Sequence, residues 1–447
     1  MENNNLKINR SKTVAFLTLG CKVNSYETDG MKELFLKAGY EIKDFEDQAD
    51  VYVINTCTVT NMADRKSRQM LHRAKKKNPE GVVVAVGCYV QASKDTLEED
   101  SAIDLVIGNN KKNQIVEILE EHFGNNDLRE TLVDIGKEKE FEELSIGAAG
   151  EKTRAYIKVQ DGCNQFCSYC IIPYARGRVR SRKLDEVVKE VNRLVGEGYK
   201  EIVLTGIHLS SYGIDFEEDI TLLTLIQTVS TIDGLKRIRL GSLEPRIITE
   251  EFVDTLKEND KFCPHFHLSM QSGCTETLKR MNRRYTAEEF YEKCELIRSR
   301  FETPAITTDV IVGFPGETDE EFSETKAFVQ KVAFAQMHVF KYSKRKGTKA
   351  ADMENQVPEP IKQQRSVELI EIEQKMRMNY REQFIGQKEL VLIEEAVVID
   401  NITYQIGHNE RYQKLAIKTE KDLSNELVEV LVLQPLTEEL LLCEIIN

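Results

Sequence analysis

The sequence of 447 residues predicts an α/β protein in three consecutive parts: an open parallel αβ sheet, a partial barrel of six βα units, and a small antiparallel β-barrel. Three observations predict this fold class. Short apolar runs alternate with helical patterns over residues 12–124, and the same alternation occurs six times over residues 151–380. Over residues 381–447, apolar and polar residues alternate with a period of two, which indicates short β-strands. Residues 125–150 have no periodicity and are interpreted as a linker.

The predicted strands of the first part each lead to a cysteine. Apolar runs at 13–19, 50–56 and 82–86 are followed by Cys21, Cys57 and Cys88. Helical patterns are expected at about 25–38, 60–77, 90–99 and 112–122. Because parallel strands share one carboxyl edge, the three cysteines are expected to converge there. Ordinary buried cysteines are the alternative, but matching positions on three strands favour a 4Fe-4S cluster with one iron free of protein ligands.

A second group of cysteines, Cys163, Cys167 and Cys170, has the spacing C-x3-C-x2-C and follows a predicted strand at 156–160. Three thiolates in one loop can bind three irons of a cubane cluster and leave the fourth iron open to a small molecule. A zinc site would need a further pair of ligands, which does not follow in the sequence. A disulfide would need an oxidising compartment, which nothing in the chain indicates.

The C-x3-C-x2-C motif resembles the signature of the radical S-adenosylmethionine (SAM) superfamily, whose usual fold is a six-unit partial barrel. The segments 18–28, 55–59 and 86–89 around the other three cysteines are similar to the N-terminal domain of its methylthiotransferase family. The resemblance implies two 4Fe-4S clusters, of which the second helps to supply the sulfur. It also implies that SAM acts twice, as methyl donor and as the source of a 5′-deoxyadenosyl radical that removes hydrogen from an unactivated carbon.

Residues at the carboxyl ends of the barrel strands are the candidates for binding SAM. Small residues allow the backbone to approach a ligand, and Ser, Glu and Gln can hydrogen-bond to the ribose and amino acid ends of SAM. With Tyr169, which by resemblance stacks near the adenine, the candidates are Gly206, Ser242, Glu244, Gln271, Val312 and Gly313. His208 and His338 are interpreted as satisfied polar residues rather than ligands.

Local basic segments are the candidates for binding a nucleic-acid substrate. Residues 61–80 contain seven Lys and Arg and two acids, although a solvated helix face is the usual meaning of such a run. Arginines at 176, 178, 180 and 182 would share one face of an extended segment. Segments 279–285 and 338–350 look like family motifs, except that Lys341 replaces the usual proline. The predicted substrate-binding residues are Arg65, Arg68, Arg73, Arg176, Arg178, Arg283 and Arg345.

The third part resembles, by position and size, a TRAM domain, a module that often binds RNA. Residues 384–447 contain five Lys and Arg and twelve Asp and Glu, so an RNA contact there is expected only near Arg411, Lys414 and Lys418. The remaining cysteines lack the spacing of metal ligands and are interpreted as structural: Cys263, Cys274, Cys294 and Cys443.

Composition limits the location and the partners. The net charge of −14 does not favour nucleic-acid binding by the chain as a whole. No apolar run could cross a bilayer, and the first residues lack the apolar core of a signal peptide, so we expect a cytoplasmic protein without a membrane partner. Ten cysteines in such a chain favour metal binding or reactive thiols over disulfides.

Within the methylthiotransferase family, the segment 20–28 is most similar to the branch that acts on N6-threonylcarbamoyladenosine in tRNA. The resemblance implies methylthio transfer to carbon 2 of that base at position 37, in the anticodon loop, with a cellular electron donor and a sulfur source as partners. The branches that act on isopentenyladenosine in tRNA or on a ribosomal protein aspartate stay open. A non-catalytic iron-sulfur RNA-binding protein is the alternative from another class.

Overall fold

The computed structural model describes residues 12–93, 97, 100–124, 131–147 and 153–446. The chain divides into two compact units. The first unit comprises Met1–Ala149, Gly162–Asn164 and Ile171–Arg178, and the second comprises Gly150–Asp161, Gln165–Cys170 and Val179–Asn447. Parts of the predicted helix at 90–99 and of the predicted linker at 125–150 lie outside the described residues. No helix that is described is long and apolar enough to cross a membrane.

The first unit contains the predicted open parallel sheet. Its strands are β1 (Thr13–Thr18), β2 (Glu41–Lys43), β3 (Val51–Thr56), β4 (Val82–Gly87) and β5 (Leu105–Ile107), in the order β2-β1-β3-β4-β5. Every neighbouring pair is parallel. Strand β2 was not predicted because its three residues Glu-Ile-Lys form no apolar run. It lies at the edge of the sheet, where a strand needs little apolar character.

Helices cover both faces of this sheet. They are α1 (Lys22–Lys37), α2 (Asn61–Lys77), α3 (Cys88–Ala92), α4 (Ile115–Phe123) and α5 (Ile172–Arg176). Successive strand residues point to opposite faces, so Val53 and Val84 belong to one apolar cluster, and Tyr52 and Val83 belong to the other. Burial on both faces explains the continuous apolar runs in the sequence.

The second unit contains the predicted partial barrel. Its parallel strands are β6 (Arg154–Asp161), β8 (Glu201–Gly206), β9 (Arg237–Leu240), β10 (His265–His267), β11 (Ala305–Val312) and β12 (Gln336–Lys341). They form two sheets, and two parallel bridges, Ile238 to Phe262 and Leu243 to Leu268, connect β9 with the chain around β10. A further short strand, β7 (Arg180–Ser181), pairs antiparallel with β6 and was not predicted.

Helices alternate with these strands. They are α6 (Leu184–Gly196), α7 (Leu222–Ser230), α8 (Glu250–Lys257), α9 (Thr275–Arg280), α10 (Ala287–Arg300), α11 (Asp319–Val332) and α12 (Glu359–Glu382). Helices α10 and α11 both begin with a capping box, formed by Thr286 with Glu289 and by Thr318 with Glu321. The predicted boundary at residue 380 falls within the last turn of α12, and the domain limits stay a prediction.

Five strands close the predicted small barrel at the end of the chain. They are β13 (Lys388–Ile399), β14 (Ile402–His408), β15 (Lys414–Lys418), β16 (Leu427–Pro435) and β17 (Leu441–Ile445). The expectation of a wholly antiparallel barrel needs one correction, because β15 and β17 pair in parallel. These strands are separated by β16 in the sequence, so alternating polarity alone could not reveal their direction.

The turn between β14 and β15 attaches this barrel to the rest of the second unit. The guanidinium of Arg237 donates hydrogen bonds to the carbonyl oxygens of His408 (2.9 Å) and Leu390 (2.6 Å). Arg239 donates to the carbonyl oxygens of Asn409 (2.5 Å) and Glu410 (2.6 Å). Arg411 was expected near an RNA contact, but its side chain donates to the carbonyl oxygens of Thr303 (3.0 Å) and Glu302 (3.2 Å). The expectation for Arg411 is therefore wrong, because the residue holds two parts of the protein together.

Candidate active site

The carboxyl edge of the sheet in the first unit carries three cysteines. Cys21 precedes α1, Cys57 directly follows β3, and Cys88 begins α3. Because β1, β3 and β4 are parallel neighbours, these positions come together as predicted. A Cβ atom added at Gly20 would lie 3.0 Å from the Sγ of Cys57, so the chain beside Cys21 contacts that thiol.

Two glycines form the sharp turns that lead to these cysteines. Gly20 has φ of 104° and Gly87 has φ of 98°, in the region that side chains other than glycine rarely adopt. A Cβ atom at Gly87 would lie 2.5 Å from Oδ1 of Asn55 and 2.7 Å from the carbonyl oxygen of Thr56. Any larger residue there would have to displace the end of β3, from which Cys57 follows.

A buried arginine supports the sulfur of Cys88. The Nε atom of Arg176 donates a hydrogen bond to the Sγ of Cys88 at 3.1 Å. The Nη atoms of Arg176 bind both carboxylate oxygens of Glu27, at 2.8 and 3.0 Å, and Nη2 also donates to Oδ1 of Asn24 at 2.7 Å. A bidentate carboxylate fixes the plane of the guanidinium. Glu27 therefore sets the direction in which Arg176 points its Nε–H.

Lys112 completes this buried network. Its Nζ lies 3.1 Å from Oε2 of Glu27 and donates to Oδ1 of Asn109 at 2.6 Å, and the side chains of Lys112, Glu27 and Arg176 are fully buried. The amide of Asn109 lies 3.8 Å from the Sγ of Cys88. We did not predict Glu27 or Asn24 from the sequence, although a signal exists. They lie just after Cys21 on α1 and are three residues apart, which places them on one helix face.

Burial affects the thiols of the first unit. Burial raises the pKa of the Cys57 thiol to about 11, and it raises the pKa of Cys21, which the Arg176 cation opposes. Coordination to a metal would deprotonate these thiols. Among the described residues, no three His, Cys, Asp or Glu side chains are placed to hold a single metal ion. A cubane cluster holds its ligands on separate irons, and three converging cysteines with N–H donors aimed at sulfur fit such a cluster.

The C-x3-C-x2-C loop begins in the first unit, where Cys163 lies after a turn that only glycine can form. Gly162 has φ of 70°, and a Cβ atom there would lie 1.8 Å from the carbonyl oxygen of Arg178. The backbone N–H of Cys163 donates to the carbonyl oxygen of Gly177 at 3.0 Å. This close approach fixes the start of the loop.

The rest of the loop belongs to the second unit and is held by backbone hydrogen bonds. The N–H of Ser168 donates to the carbonyl oxygen of Met281 (3.0 Å), and the carbonyl oxygen of Ser168 accepts from Ala350 (2.7 Å). The N–H of Cys170 donates to the carbonyl oxygen of Cys167 at 2.9 Å. Nη1 of Arg283 donates to the Sγ of Cys167 at 3.3 Å, so a cation also stands beside a thiol of this loop.

Three of the arginines predicted to bind substrate have other partners. Arg283 bonds to Cys167 and also donates to the carbonyl oxygen of Ser269 (3.0 Å) and to Oη of Tyr285 (2.8 Å). Arg176 is fully buried, and Arg345 is only 7% exposed. The substrate assignments of Arg176 and Arg283 are corrected, because a fully buried or fully engaged guanidinium group cannot contact a phosphate at the surface. The assignment of Arg345 stays a prediction.

The four alternating arginines do not share an exposed face. Arg176 is the last residue of helix α5 rather than part of an extended segment. Arg180 and Arg182 are buried, and Arg182 pairs with Glu190. Only Arg178 of the four is exposed. The prediction failed because the spacing was read as extended, whereas the chain forms a short helix and then turns at Gly177, where φ is 72°.

The candidates for SAM binding lie at or just beyond the carboxyl ends of neighbouring strands in the second unit. Gly206 ends β8, Ser242 and Glu244 follow β9, Gln271 follows β10, Val312 ends β11, and Gly313 comes next. Tyr169 packs in an apolar cluster with Phe314, with the two ring centroids 6.4 Å apart. The candidates thus come from the carboxyl ends of four parallel strands, β8, β9, β10 and β11.

Several of these candidates have local constraints. A Cβ atom at Gly206 would lie 2.9 Å from the Cβ of Gln160, and Gln271 has φ of 70°. Ser242 bonds to the hydroxyl of Ser269 at 2.8 Å, and Glu244 forms an ion pair with Arg246 at 2.6 Å. The Glu244 carboxylate is thus already oriented by a cation.

The two histidines singled out in the sequence are both hydrogen-bonded. Nδ1 of His208 lies 2.7 Å from the hydroxyl of Ser211, and Nδ1 of His338 lies 3.2 Å from Oδ1 of Asp309. This agrees with the interpretation of both as polar residues that have partners.

The basic helix α2 is partly neutralised. Arg73 and Lys77 both pair with Glu46, at 2.5 and 2.9 Å, and Lys75 pairs with Asp104 at 2.9 Å. Nη1 of Arg68 donates to Oη of Tyr89 at 3.2 Å. Arg65 and Lys66 are exposed and form no ion pair with any residue that the structure describes. Unneutralised charge therefore lies in the first turns of α2, close in sequence to Cys57, and at the exposed Lys76 in its last turn.

Two family descriptions match the chain. The Radical SAM superfamily matches residues 157–329, and the Uncharacterized protein family UPF0004 matches residues 13–108. The first match contains Cys163, Cys167 and Cys170, and the second contains Cys21, Cys57 and Cys88. The threonylcarbamoyladenosine tRNA methylthiotransferase MtaB of Bacillus subtilis is 43% identical over 424 residues, which are 94% of this chain and 94% of that protein.

The chain belongs to the radical SAM methylthiotransferase family. MtaB of Aquifex aeolicus is also 43% identical, over 87% of this chain and 95% of that protein. The tRNA-2-methylthio-N(6)-dimethylallyladenosine synthase of Finegoldia magna is 34% identical over 95% of this chain and 93% of that protein. This methylthiotransferase is accordingly an enzyme that transfers sulfur-containing groups.

Solved structures show the same fold at low sequence identity. The radical SAM methyltransferase TsrM of Kitasatospora setae, with cobalamin and a 4Fe-4S cluster bound, has a TM-score of 0.57 and 16% identity, and the match covers 76% of this methylthiotransferase and 77% of TsrM. The cobalamin-dependent SAM radical enzyme OxsB has a TM-score of 0.51 and 11% identity, over 81% and 56% of the two chains. These likenesses confirm the fold class alone.

SAM and 4Fe-4S clusters are the cofactors of this methylthiotransferase family member. Together they supply the reductive cleavage of SAM that starts radical chemistry. The chain supplies thiols at two places, N–H donors to Cys88 and Cys167, and a strand edge with small and polar residues. The thiols and their N–H donors fit iron-sulfur clusters, and the strand edge with its small and polar residues fits SAM.

Proposed function

We propose that this methylthiotransferase adds a methylthio group to carbon 2 of N6-threonylcarbamoyladenosine at position 37 of tRNA. The observation that carries the proposal is the 43% identity, over 94% of both chains, to a relative named for that nucleoside. Two further relatives with the same name are 43% and 37% identical. The segment 20–28, which favoured this branch, contains Cys21 and, after it, Asn24 and Glu27 of the buried network.

The two groups of cysteines are proposed to hold two separate clusters. Cys163, Cys167 and Cys170 would bind the cluster that meets SAM. Cys21, Cys57 and Cys88 would bind the second cluster. Arg283 would stabilise the negative charge on the Cys167 sulfur, and Arg176 would do the same for Cys88. We propose the same division for the parts of the chain, with cluster binding in residues 12–124 and the SAM reaction in residues 151–380.

The strand edge of the second unit is proposed to hold SAM. Glu244, already oriented by Arg246, would accept a hydrogen bond from a donor of SAM, and Ser242 would donate or accept one. The glycines at 206 and 313 would let the backbone approach the cofactor, and Tyr169 would cover the adenine. Val312 and Gln271 would complete the lining of the proposed SAM site.

The tRNA is proposed to meet exposed arginines. Arg65, Arg68, Arg73 and Arg178 stay in this role, because all four are exposed. Phosphate contacts of this kind position a nucleic acid without reading its sequence. A cellular electron donor and a sulfur source are further partners of the proposed reaction, and the cytoplasm is its proposed location.

Nucleoside mass spectrometry of tRNA from cells that lack the gene tests this function. The 2-methylthio form of N6-threonylcarbamoyladenosine should disappear and its unthiolated parent should accumulate. A plasmid copy should restore the modified nucleoside, and so should Cys294→Ala, which changes a buried cysteine outside the proposed sites. Cys163→Ala should not restore it. If the modified nucleoside persists in the deletion strain, the proposed substrate is wrong.

A second substrate has support from the relatives. Synthases named for dimethylallyladenosine are 34% and 37% identical to this chain over most of its length. The same mass spectra measure 2-methylthio-N6-isopentenyladenosine. Loss of that nucleoside instead would assign this methylthiotransferase to the other branch and leave the cluster assignments unchanged.

A further inference from the structure

A cavity of about 260 Å³ lies in the second unit, away from the proposed SAM edge. It is lined by Ala335, Gln336, Arg377, Arg381, His408, Tyr412, Gln413, Lys414 and Glu439. Gln336 is the first residue of β12, so the cavity lies at the amino ends of the strands, whereas the SAM candidates lie at the carboxyl ends. The neighbouring elements are the last turns of α12 and the turn between β14 and β15.

The charge of the lining is positive. Arg377, Arg381 and Lys414 oppose a single carboxylate, that of Glu439. Nε of Arg377 pairs with Glu373 at 3.2 Å, and its Nη1 donates to the carbonyl oxygen of Glu438 at 3.1 Å. The surrounding β-barrel has a strong excess of acidic residues, so a group of three cations here is a local exception.

Arg381 has fewer partners than a buried guanidinium requires. It is 7% exposed and donates through Nη1 to the carbonyl oxygen of Glu438, while its buried Nη2 has no hydrogen-bond partner. Among the residues that the structure describes, no carboxylate forms an ion pair with it. Burial and the nearby Arg377 cation both lower the pKa of Arg381, and Glu439 opposes them. A buried cation without an anion is costly, and a bound anion removes that cost.

We propose that this cavity binds a phosphate group, which accepts hydrogen bonds from Arg381 and is flanked by Arg377 and Lys414. Guanidinium forks match phosphate oxygens in pairs, and an ammonium adds a point charge. The volume exceeds that of one phosphate, so the group can be inorganic phosphate or part of a larger molecule such as an RNA backbone. The site is independent of the SAM reaction, and its test does not depend on the proposed nucleoside.

Inorganic phosphate is the first probe. The full-length holoenzyme is heated in phosphate or in chloride at equal ionic strength and pH, and phosphate binding is measured by calorimetry. Phosphate should raise the melting temperature above the value in chloride for the wild type and for Lys375→Gln, an exposed charge change on the same helix. The gain should be lost in the double variant Arg377→Gln with Lys414→Gln. The proposal would be overturned by an equal rise in melting temperature in Lys375→Gln and in the double variant, or by no rise in the wild type.

The double variant keeps Arg381, whose replacement could impair folding. Arg381→Lys is the second test, because it retains the positive charge and loses the fork. It should weaken phosphate binding while the far-UV circular dichroism stays that of the wild type. Unchanged binding in Arg381→Lys would contradict the assigned role of the guanidinium.

An RNA anticodon stem-loop distinguishes the two sources of the phosphate. If the group belongs to RNA, the double variant should bind the stem-loop more weakly, with a salt slope smaller by about one per lost phosphate contact. Inorganic phosphate should then compete with the stem-loop. If the group is free phosphate, stem-loop affinity should be unchanged while the phosphate-dependent melting shift is lost. Both results are consistent with a phosphate site. The melting and calorimetry measurements described above decide whether the site exists.

Discussion

The Nε atom of Arg176 lies 3.1 Å from the Sγ of Cys88, and the two residues are 88 positions apart in the chain. Both belong to the first unit, and Glu27 orients the guanidinium from the other side. An N–H donor and a positive charge beside a cluster ligand stabilise the reduced, more negative state of a cluster. If Cys88 binds the second cluster as proposed, this contact therefore affects the electronic properties of that cluster as well as the fold.

Arg176→Gln should lower the reduction potential of the second cluster. The variant is made in a background in which Cys163, Cys167 and Cys170 are all replaced by alanine, so that only one cluster remains. The potential is measured by redox titration with electron paramagnetic resonance. Arg176→Lys, which keeps the charge, should shift it less, and Arg178→Gln, an exposed neighbour, should not shift it. Equal potentials in Arg176→Gln and Arg178→Gln would show that the contact has no electronic role.

Glu27→Gln should destabilise the protein far more than a change at an exposed acid of the same helix. Glu27 is fully buried between Arg176 and Lys112, so the variant leaves Arg176 without its carboxylate and Lys112 with only the more distant Glu142, at 3.7 Å, and should cost about 3–5 kcal/mol. Asp29→Asn removes an exposed pair with Lys32 and should cost less than about 1 kcal/mol. Urea unfolding of both variants measures the difference. Similar losses would mean that the buried network contributes little.

Gly162→Ala should prevent normal assembly of the cluster in the C-x3-C-x2-C loop. The added Cβ would lie 1.8 Å from the carbonyl oxygen of Arg178, so the chain before Cys163 must move. Iron content after reconstitution should fall toward that of a single cluster. Gly198→Ala is the matched control, since Gly198 also has a positive φ of 104° but has no atom within 4 Å of the added Cβ. Full iron content in Gly162→Ala would contradict the constraint.

Arg65→Gln combined with Lys66→Gln should weaken tRNA binding more than Arg73→Gln combined with Lys77→Gln. Both pairs lie on α2, but Glu46 already neutralises the second pair. The first pair should reduce the slope of log affinity against log salt by about one for each lost phosphate contact. Filter binding over a range of salt concentrations measures the slopes. Equal effects would indicate that Glu46 releases its partners when RNA binds.

Acid should destabilise the second unit through Glu201. Burial raises the pKa of Glu201, but the Arg239 and Arg154 cations lower it more, to about 2. A pKa below that of the unfolded chain means that the contribution to stability is complete above about pH 5 and is lost as the pH falls toward 2, a change of about 3 kcal/mol. Urea unfolding of the cluster-free full chain should show a steeper loss of stability with acid in the wild type than in Glu201→Gln, where carboxylates such as Asp309 and Glu394, whose pKa values are also lowered, keep the remaining slope. Glu250→Gln, at an exposed position, should keep the slope of the wild type.

Local sequence patterns predicted the strands and the positions of the cysteines, because apolar runs and the glycines that end them are properties of adjacent residues. The edge strand β2 was missed because Ile42 is the only apolar residue among its three. Partners distant in the chain could not be predicted. Arg176 pairs with Glu27 149 positions away, so a helix that buries it was indistinguishable from an extended basic segment.

The C-terminal barrel illustrates the same limit. Alternating polarity predicted its strands, but Arg411 seemed available to RNA because its partners, the carbonyl oxygens of Glu302 and Thr303, lie more than 100 positions earlier. Charge counts predicted that the barrel is a poor general phosphate binder. They could not predict that Arg377 and Arg381 of the preceding helix line a cavity with Lys414 of the barrel.

The hydrogen bonds from Arg237 and Arg239 to the turn at 408–410 affect how the protein is made. A ribosome completes these two arginines some 170 residues before it adds the carbonyl groups that they bind. Until that late segment leaves the exit tunnel, two guanidinium groups at the base of the barrel strands lack their final partners. A chain that ends soon after residue 390 would therefore leave Arg239 with Glu201 as its partner but without the carbonyl groups of the turn, and the contact between β9 and the C-terminal barrel would be incomplete.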